Sequence, residues 1–276
     1  MSSCCENDDS DTYDLIVIGA GSAGFSASIT AAEAGAQVAL IGHGTIGGTC
    51  VNVGCVPSKA MIRAAEALHG ARAASRFKGL SGSADIEDWQ ALIGDKDELV
   101  ATLREKKYTD LLSMYEGVTY IEGAAQLSDD GVLVGDRFLT AERVIIATGT
   151  SPSLPAIPGV EDVPYLDSTA ALELPTLPKS LLVMGGGYIG CELAQMFARA
   201  GTTVTLVTRS RLLPEAEPEI SDALAGYFRD EGIVVRSDLS YTSVEKTPGG
   251  IALTITQDGK QETLEAEHLL LTTGRH

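Results

Sequence analysis

Basic residues are scarce in this chain: 20 Lys and Arg stand against 38 Asp and Glu over 276 residues, a formal charge of −18. Nucleic acid and anionic membrane surfaces both require clustered cations, so small molecules are the expected partners. Long apolar runs are absent as well, and none approaches the roughly 20 residues of a membrane span. The first fourteen residues carry Glu6, Asp8, Asp9, Asp11 and Asp14, with neither a cationic start nor an apolar centre. No secretory signal is expected there, and a cytoplasmic location is the corresponding expectation. Cysteine is limited to five residues, which in a reducing compartment points to chemistry more than to structural bridges. Histidine is rarer still, and His43, His69 and His268 show no ligand spacing, so no metal cofactor is expected. What the chain does have is an apolar fraction of 44% and 30 glycines. Its length suits one to two domains with a substantial core.

Two of the thiols sit in the segment from Gly47 to Lys59, G-G-T-C-V-N-V-G-C-V-P-S-K. Pro57 fits the first turn of a helix, and Met61, Ile62, Ala64, Ala65 and Leu68 continue it with helical spacing. Cys55 therefore lies at the helix mouth, where unpaired N–H groups and the positive end of the dipole favour a thiolate. With Cys50 it forms a pair suited to cycling between dithiol and disulfide. The plainer reading is two inert buried cysteines. Gly47, Gly48 and Gly54 speak against it, because they allow a close backbone approach that a core helix does not need.

Around that segment lie two copies of one phosphate-binding pattern. The strand Asp14–Gly19 runs into Gly19-Ala20-Gly21-Ser22-Ala23-Gly24 and a small-residue helix, with a return strand over 37–41. The strand Leu181–Met184 runs into Gly185-Gly186-Gly187-Tyr188-Ile189-Gly190 and a helix to Ala200, with a return strand over 203–207. In G-x-G-x-x-G the first glycine makes the tight turn, the second admits a pyrophosphate and the third lets helix and strand pack. One copy is weak evidence; two with correct flanks predict an α/β protein with two Rossmann-like dinucleotide-binding domains. The residues after each return strand bear on the nucleotide, since a carboxylate there grips a ribose hydroxyl and an arginine accommodates a 2′-phosphate. Arg209 and Arg211 follow the second copy and favour NADPH, unless they are merely solvated loop charges. Gly42 and His43 follow the first copy, so the ribose there must be held by something other than the usual acid.

These residues carry a resemblance. The two fingerprints, the C-x-x-x-x-C of Cys50 and Cys55, Ala147-Thr148-Gly149, Tyr188 with Glu192, and Thr273-Gly274-Arg275 resemble the flavoprotein pyridine nucleotide-disulfide reductases. The string from Gly44 to Lys59, followed by Ile62-Arg63-Ala64-Ala65-Glu66, is most similar to the mercuric reductases within them. The resemblance implies that FAD lies on Gly19, Gly21, Ser22, Ala23 and Gly24, with Gly48 and Thr49 at its flavin side and backbone contacts from Ala125, Thr148 and Gly149. It implies that Cys55 contacts the flavin, that Cys50 exchanges with substrate, and that Lys59 lies near the flavin N5 with Glu192 as ionic partner. NADPH is implied on Gly185, Gly187, Ile189, Gly190, Arg209, Arg211 and Gly274, with Tyr188 covering the nicotinamide pocket. The substrate implied is Hg(II), bound by Cys50 and Cys55; a small thiol or disulfide is the alternative, and a non-catalytic nucleotide-binding protein a third reading.

The expected division is an acidic disordered tail over 1–12, an FAD-binding domain over 13–152 and an NAD(P)-binding domain over 153–276. The proline-rich loop 151–158 marks the boundary. A polar helical excursion broken near Gly94 is expected over 85–115, facing solvent. The resemblance also implies an amino-terminal fragment of a homodimeric enzyme, without the dimerisation domain or the carboxy-terminal cysteine pair. Cys4 and Cys5 read as part of the tail, with capture of Hg(II) as the sharper alternative. Cys191 reads as packing.

Overall fold

The computed structural model describes residues 10–276, and strand β1 (Ser10–Ile18) is the spine of the first of its two units. Ile16 and Val17 are wholly buried, as a strand covered on both faces requires. Helix α1 (Ser22–Glu33) leads to β2 (Val38–Gly42), which pairs in parallel with β1. Helices α2 (Gly48–Asn52), α3 (Cys55–Arg72) and α4 (Trp89–Arg104) follow, then a π-helical turn Glu105–Thr109 and the short α5 (Asp110–Leu112). The unit closes with β3 (Val118–Glu122), β4 (Ala125–Leu127), β5 (Val132–Val134) and β6 (Arg137–Ile146). The sheet order is β3-β2-β1-β6-β5-β4. The first four of these strands run parallel and the last two pair antiparallel. β5 covers only Arg137–Leu139 of β6, so Val144, Ile145 and Ile146 are exposed on an outer edge with no strand beside it among the described residues.

The second unit joins residues 57–97 to residues 150–276, so the segment after Pro57 packs with the second half of the chain and not with its sequence neighbours. The reason is apolar contact: Met61, Ala65 and Trp89 share a buried cluster with Leu193, Met196 and Phe197. The unit contains α6 (Ser168–Leu172), β7 (Ser180–Met184), α7 (Tyr188–Ala200), β8 (Thr203–Val207), α8 (Pro218–Asp230) and β9 (Val234–Arg236). An antiparallel meander, β10 (Ser240–Thr247), β11 (Gly250–Gln257) and β12 (Lys260–Ala266), precedes β13 (His268–Leu271). The parallel sheet has the order β13-β7-β8-β9. Alternate residues of β7 enter opposite cores. Leu181 and Val183 meet the helices, whereas Leu182 and Met184 meet Leu253 and Ile255 of the meander.

Two expectations need correcting. The helix does not break near Gly94; α4 runs through it, and the interruption comes at the π-helical turn. Glycine in a helix interior costs about 1 kcal/mol, which the packing of Trp89, Leu92 and Ile93 offsets. Nor is that stretch wholly solvent-facing. Trp89 Nε1 donates to Leu174 O at 2.8 Å, and Lys96, 2% exposed, donates to Leu172 O and pairs with Asp97 and Glu173.

Both fingerprints fold as strand, turn and helix. A Cβ on Gly24 would overlap the Gly19 carbonyl oxygen, and one on Gly190 the Gly185 carbonyl oxygen, so the third glycine of each copy lets helix and turn touch. Gly24→Ala is expected to lower stability by about 1–3 kcal/mol through overpacking. Gly94→Ala, where an added Cβ meets nothing within 4 Å, is expected to raise it by about 0.5–1 kcal/mol. Urea midpoints of the two variants check the contrast; a shift of the same sign in both contradicts it.

Candidate redox and dinucleotide sites

Glycine brings the thiol loop onto the first fingerprint. Gly47 N donates to Ala20 O at 2.9 Å, Gly47 and Gly21 form a parallel bridge, and a Cβ on Gly48 would lie 2.7 Å from Gly21 Cα. Gly47 and Gly48 have φ of 100° and 65°, a region L side chains rarely adopt. From this anchor α2 carries Cys50, and α3 begins at Cys55; both are exposed. Gly54 closes the turn between them, since a Cβ there would sit 2.9 Å from Thr49 O and 3.3 Å from Cys50 Cα.

The two sulfurs interact directly. The Cys50 thiol is raised above its ordinary range first by its hydrogen bond to the Cys55 side chain, then by burial and the Cys55 charge. The Cys55 backbone N–H on Cys50 and the Lys107 charge oppose that shift. Cys50 thus keeps its proton beside Cys55.

Sequence reasoning missed what holds this loop. Asn52, between the thiols, donates through Nδ2 to Ile46 O and Gly48 O, each at 2.9 Å, and accepts at Oδ1 from Arg104 Nη1 at 3.0 Å. Tyr108, in the π-helical turn, is buried, hydrogen-bonds Ser22 Oγ at 3.1 Å and meets the Phe25 ring edge-on at 4.8 Å. A Cβ on Gly47 would be 3.2 Å from the Tyr108 ring. Asn52 was visible as a polar residue inside the motif. Arg104 and Tyr108 lie some fifty residues further on and carry no local signal.

The first fingerprint presents its donors openly. Gly21 caps α1 in an extended conformation with no side-chain hydrogen bond, and the first turn holds no acid. Its orphan N–H groups are therefore free of capping side chains, as an anion site requires. The end of β6 adjoins it: a Cβ on Gly19 would overlap Ala147 O and come 3.0 Å from Thr148 N. Gly149 follows with φ 74° and open space beside it. Ala125 lies on β4, separated from β1 in the sheet by β5 and β6.

In the second unit Gly187 caps α7 in the same uncapped way, and a Cβ on it would meet nothing within 4 Å. A cavity of about 200 Å³ is lined by Gly187, Tyr188, Ile189, Thr272, Gly274 and Ser168, among others. Tyr188 is 67% exposed at its rim. Lys59 Nζ and Glu192 Oε2 form an ion pair of 2.6 Å, both half-exposed. The two arginines after β8 part company. Arg211 Nη2 donates to Pro214 O at 3.0 Å and Ala216 O at 2.7 Å, holding its own loop, whereas Arg209 is exposed. Cys191 is buried, its thiol pushed up to about 12 by burial first and the Glu192 charge second. Among the described residues no group of three or more His, Cys, Asp or Glu is placed to hold a metal ion, and no helix is long and apolar enough to cross a membrane. Cys4 and Cys5 lie outside the described residues.

Iodoacetamide at pH 8 is expected to label Cys50 and Cys55 and to spare Cys191, as mapped by mass spectrometry; labelling of Cys191 in the folded chain contradicts the burial argument. Arg104→Ala is expected to loosen the thiol loop, read as faster amide exchange over residues 46–54, by about 2- to 10-fold for one lost hydrogen bond. Unchanged exchange there rejects the clamp.

The chain matches the Pyridine nucleotide-disulphide oxidoreductase family over residues 13–276. It is 47% identical over 269 residues to a mercuric reductase of Streptomyces lividans, with 95% of this chain and 56% of that one covered. To a mercuric reductase of Staphylococcus aureus it is 44% identical, covering 95% and 48%. The HOCl-induced flavoprotein disulfide reductase RclA of Escherichia coli, solved as a Cu(II) complex, superposes with a TM-score of 0.80 at 30% identity, covering 96% of this chain and 57% of that one. The chain thus spans about half the length of the curated relatives it matches. Matched from Tyr13 to His276, with both glycine fingerprints folded and the thiol pair between them, the chain belongs to the pyridine nucleotide-disulphide oxidoreductase family.

Proposed function

We propose that this chain forms the nucleotide-binding and dithiol portion of an NADPH-dependent mercuric reductase. The observation that carries the reading is the thiol pair built backbone-to-backbone onto a phosphate-binding turn. The similarity to mercuric reductases supports the metal substrate. The overall reaction balances as NADPH + Hg²⁺ → NADP⁺ + Hg⁰ + H⁺.

The residues fit FAD on the first fingerprint: Gly21 leaves the α1 N–H groups uncapped, and Gly19, Thr148 and Gly149 keep bare backbone beside the turn. FAD bound there supplies the two-electron chemistry that protein side chains lack. Gly48 and Thr49 set the thiols relative to that turn, and Cys55, at the start of α3, is the sulfur that contacts the flavin. Cys50, exposed on α2, meets the substrate. Hg(II) is soft and prefers thiolate sulfur, so the pair holds it without imidazole or carboxylate ligands. NADPH fits the second fingerprint, with Gly187 open to its phosphates and Gly274 and Ile189 lining the cavity. Arg209 is the cation left for a 2′-phosphate, Arg211 being engaged with its loop. Tyr188 at the rim covers the nicotinamide position, and Glu192 fixes the ammonium of Lys59. Free thiols suit a cytoplasmic location, and the enzyme is proposed to act as a homodimer.

The test is NADPH oxidation by the polypeptide of the whole reading frame, with Hg(II) or an organic disulfide as substrate. Hg(II)-dependent turnover is expected, and Cys55→Ala is expected to abolish it together with any long-wavelength thiolate–flavin absorbance. Turnover of the disulfide alone would replace the metal with a thiol substrate, and full activity of Cys55→Ala would reject the assignment of that sulfur.

A further inference from the structure

In a dinucleotide-binding unit the second strand usually ends in a carboxylate that grips the ribose. Here β2 ends in Gly42, and His43 beyond it is exposed. The space a side chain at 42 would enter is already filled. A Cβ there would lie 2.6 Å from Tyr120 Oη and 2.8 Å from both the Tyr120 ring and Ala20 Cβ. Tyr120 comes from β3, which pairs in parallel with β2 in the register Leu40↔Tyr120 and Gly42↔Glu122. Its side chain packs against the buried cluster that includes Val38, Leu40 and Ala20, and its hydroxyl and ring edge occupy the space over Gly42, beside Ala20 of the first fingerprint. Among the described residues nothing hydrogen-bonds that hydroxyl. Burial, and secondarily the Glu122 charge, hold the phenol above its ordinary range, so it keeps its proton and can donate.

We propose that Tyr120 Oη replaces the missing carboxylate and hydrogen-bonds the adenosine ribose of the dinucleotide on the first fingerprint, glycine at 42 being what admits it. The assignment rests on reading that fingerprint as the FAD site. It makes one strand supply from β3 what the fold ordinarily supplies from β2. Glu122, opposite Gly42 and exposed, is the competing source of a ribose contact.

Flavin-fluorescence titration of the 276-residue chain decides the matter, using FAD and an FAD analogue whose adenosine lacks the 2′ and 3′ hydroxyls. Tyr120→Phe is expected to weaken FAD about 3- to 10-fold, the range of one hydrogen bond, and to leave the affinity for the analogue unchanged. Gly42→Glu alone is expected to weaken FAD because its side chain meets Tyr120. Combining it with Tyr120→Val, a residue that suits a strand, is expected to recover most of the wild-type affinity. Equal weakening of both ligands by Tyr120→Phe would reduce the residue to packing and overturn the proposal. So would a loss seen only in Glu122→Gln. Failure of the wild-type chain to take up FAD at all would instead sink the cofactor reading on which the proposal stands.

Discussion

Backbone touching backbone is the constraint on which the first unit depends. Gly21 and Gly48 approach so closely that a single methyl group on Gly48 would lie 2.7 Å from Gly21 Cα. That contact ties the first fingerprint turn to the thiol-bearing loop without using a side chain. The two sulfurs are thereby positioned by the backbone of that turn. Gly54 then keeps Cys50 and Cys55 on one short turn, and Asn52 satisfies the carbonyls that so tight a loop leaves open. A buried backbone acceptor without a partner is costly, and here one side chain answers two of them.

The second unit solves a different problem with the same motif. Its parallel sheet lies between α7 with α3 on one side and the antiparallel meander on the other, so β7 is apolar from Leu181 to Met184. Gly185 makes its turn against Thr272 at the end of β13, the strand latest in the sequence. The second fingerprint turn is consequently complete only once β13 has docked beside β7. Lys59, at the start of α3, reaches Glu192 on α7 within this unit, so the ion pair is set by helix packing and not by the thiol loop.

How much of this was legible in the sequence depended on range. Strands β7 and β8, the helices after each fingerprint and the helical start at Cys55 follow local rules of periodicity and glycine placement, and they emerge within a few residues of expectation. The thiol pair and the Lys59–Glu192 partnership were legible through the family's motifs. What stayed hidden were contacts made across long separations: Arg104 on Asn52, Tyr108 on Ser22, Tyr120 over Gly42. Their identities look ordinary in a polar helix or a strand, and only folding gives them neighbours. Gly94 misled because propensity is a weak prior that burial on either side overrides. Arg209 and Arg211 look equivalent in the sequence, and only the loop carbonyls that Arg211 meets set their side chains apart.

The outer margin of β6 has a consequence for handling the chain. Val144, Ile145 and Ile146 combine high β-propensity with backbone groups that no strand covers among the described residues, and no charge or proline interrupts them. Such a margin is a template for sheet extension by another polypeptide.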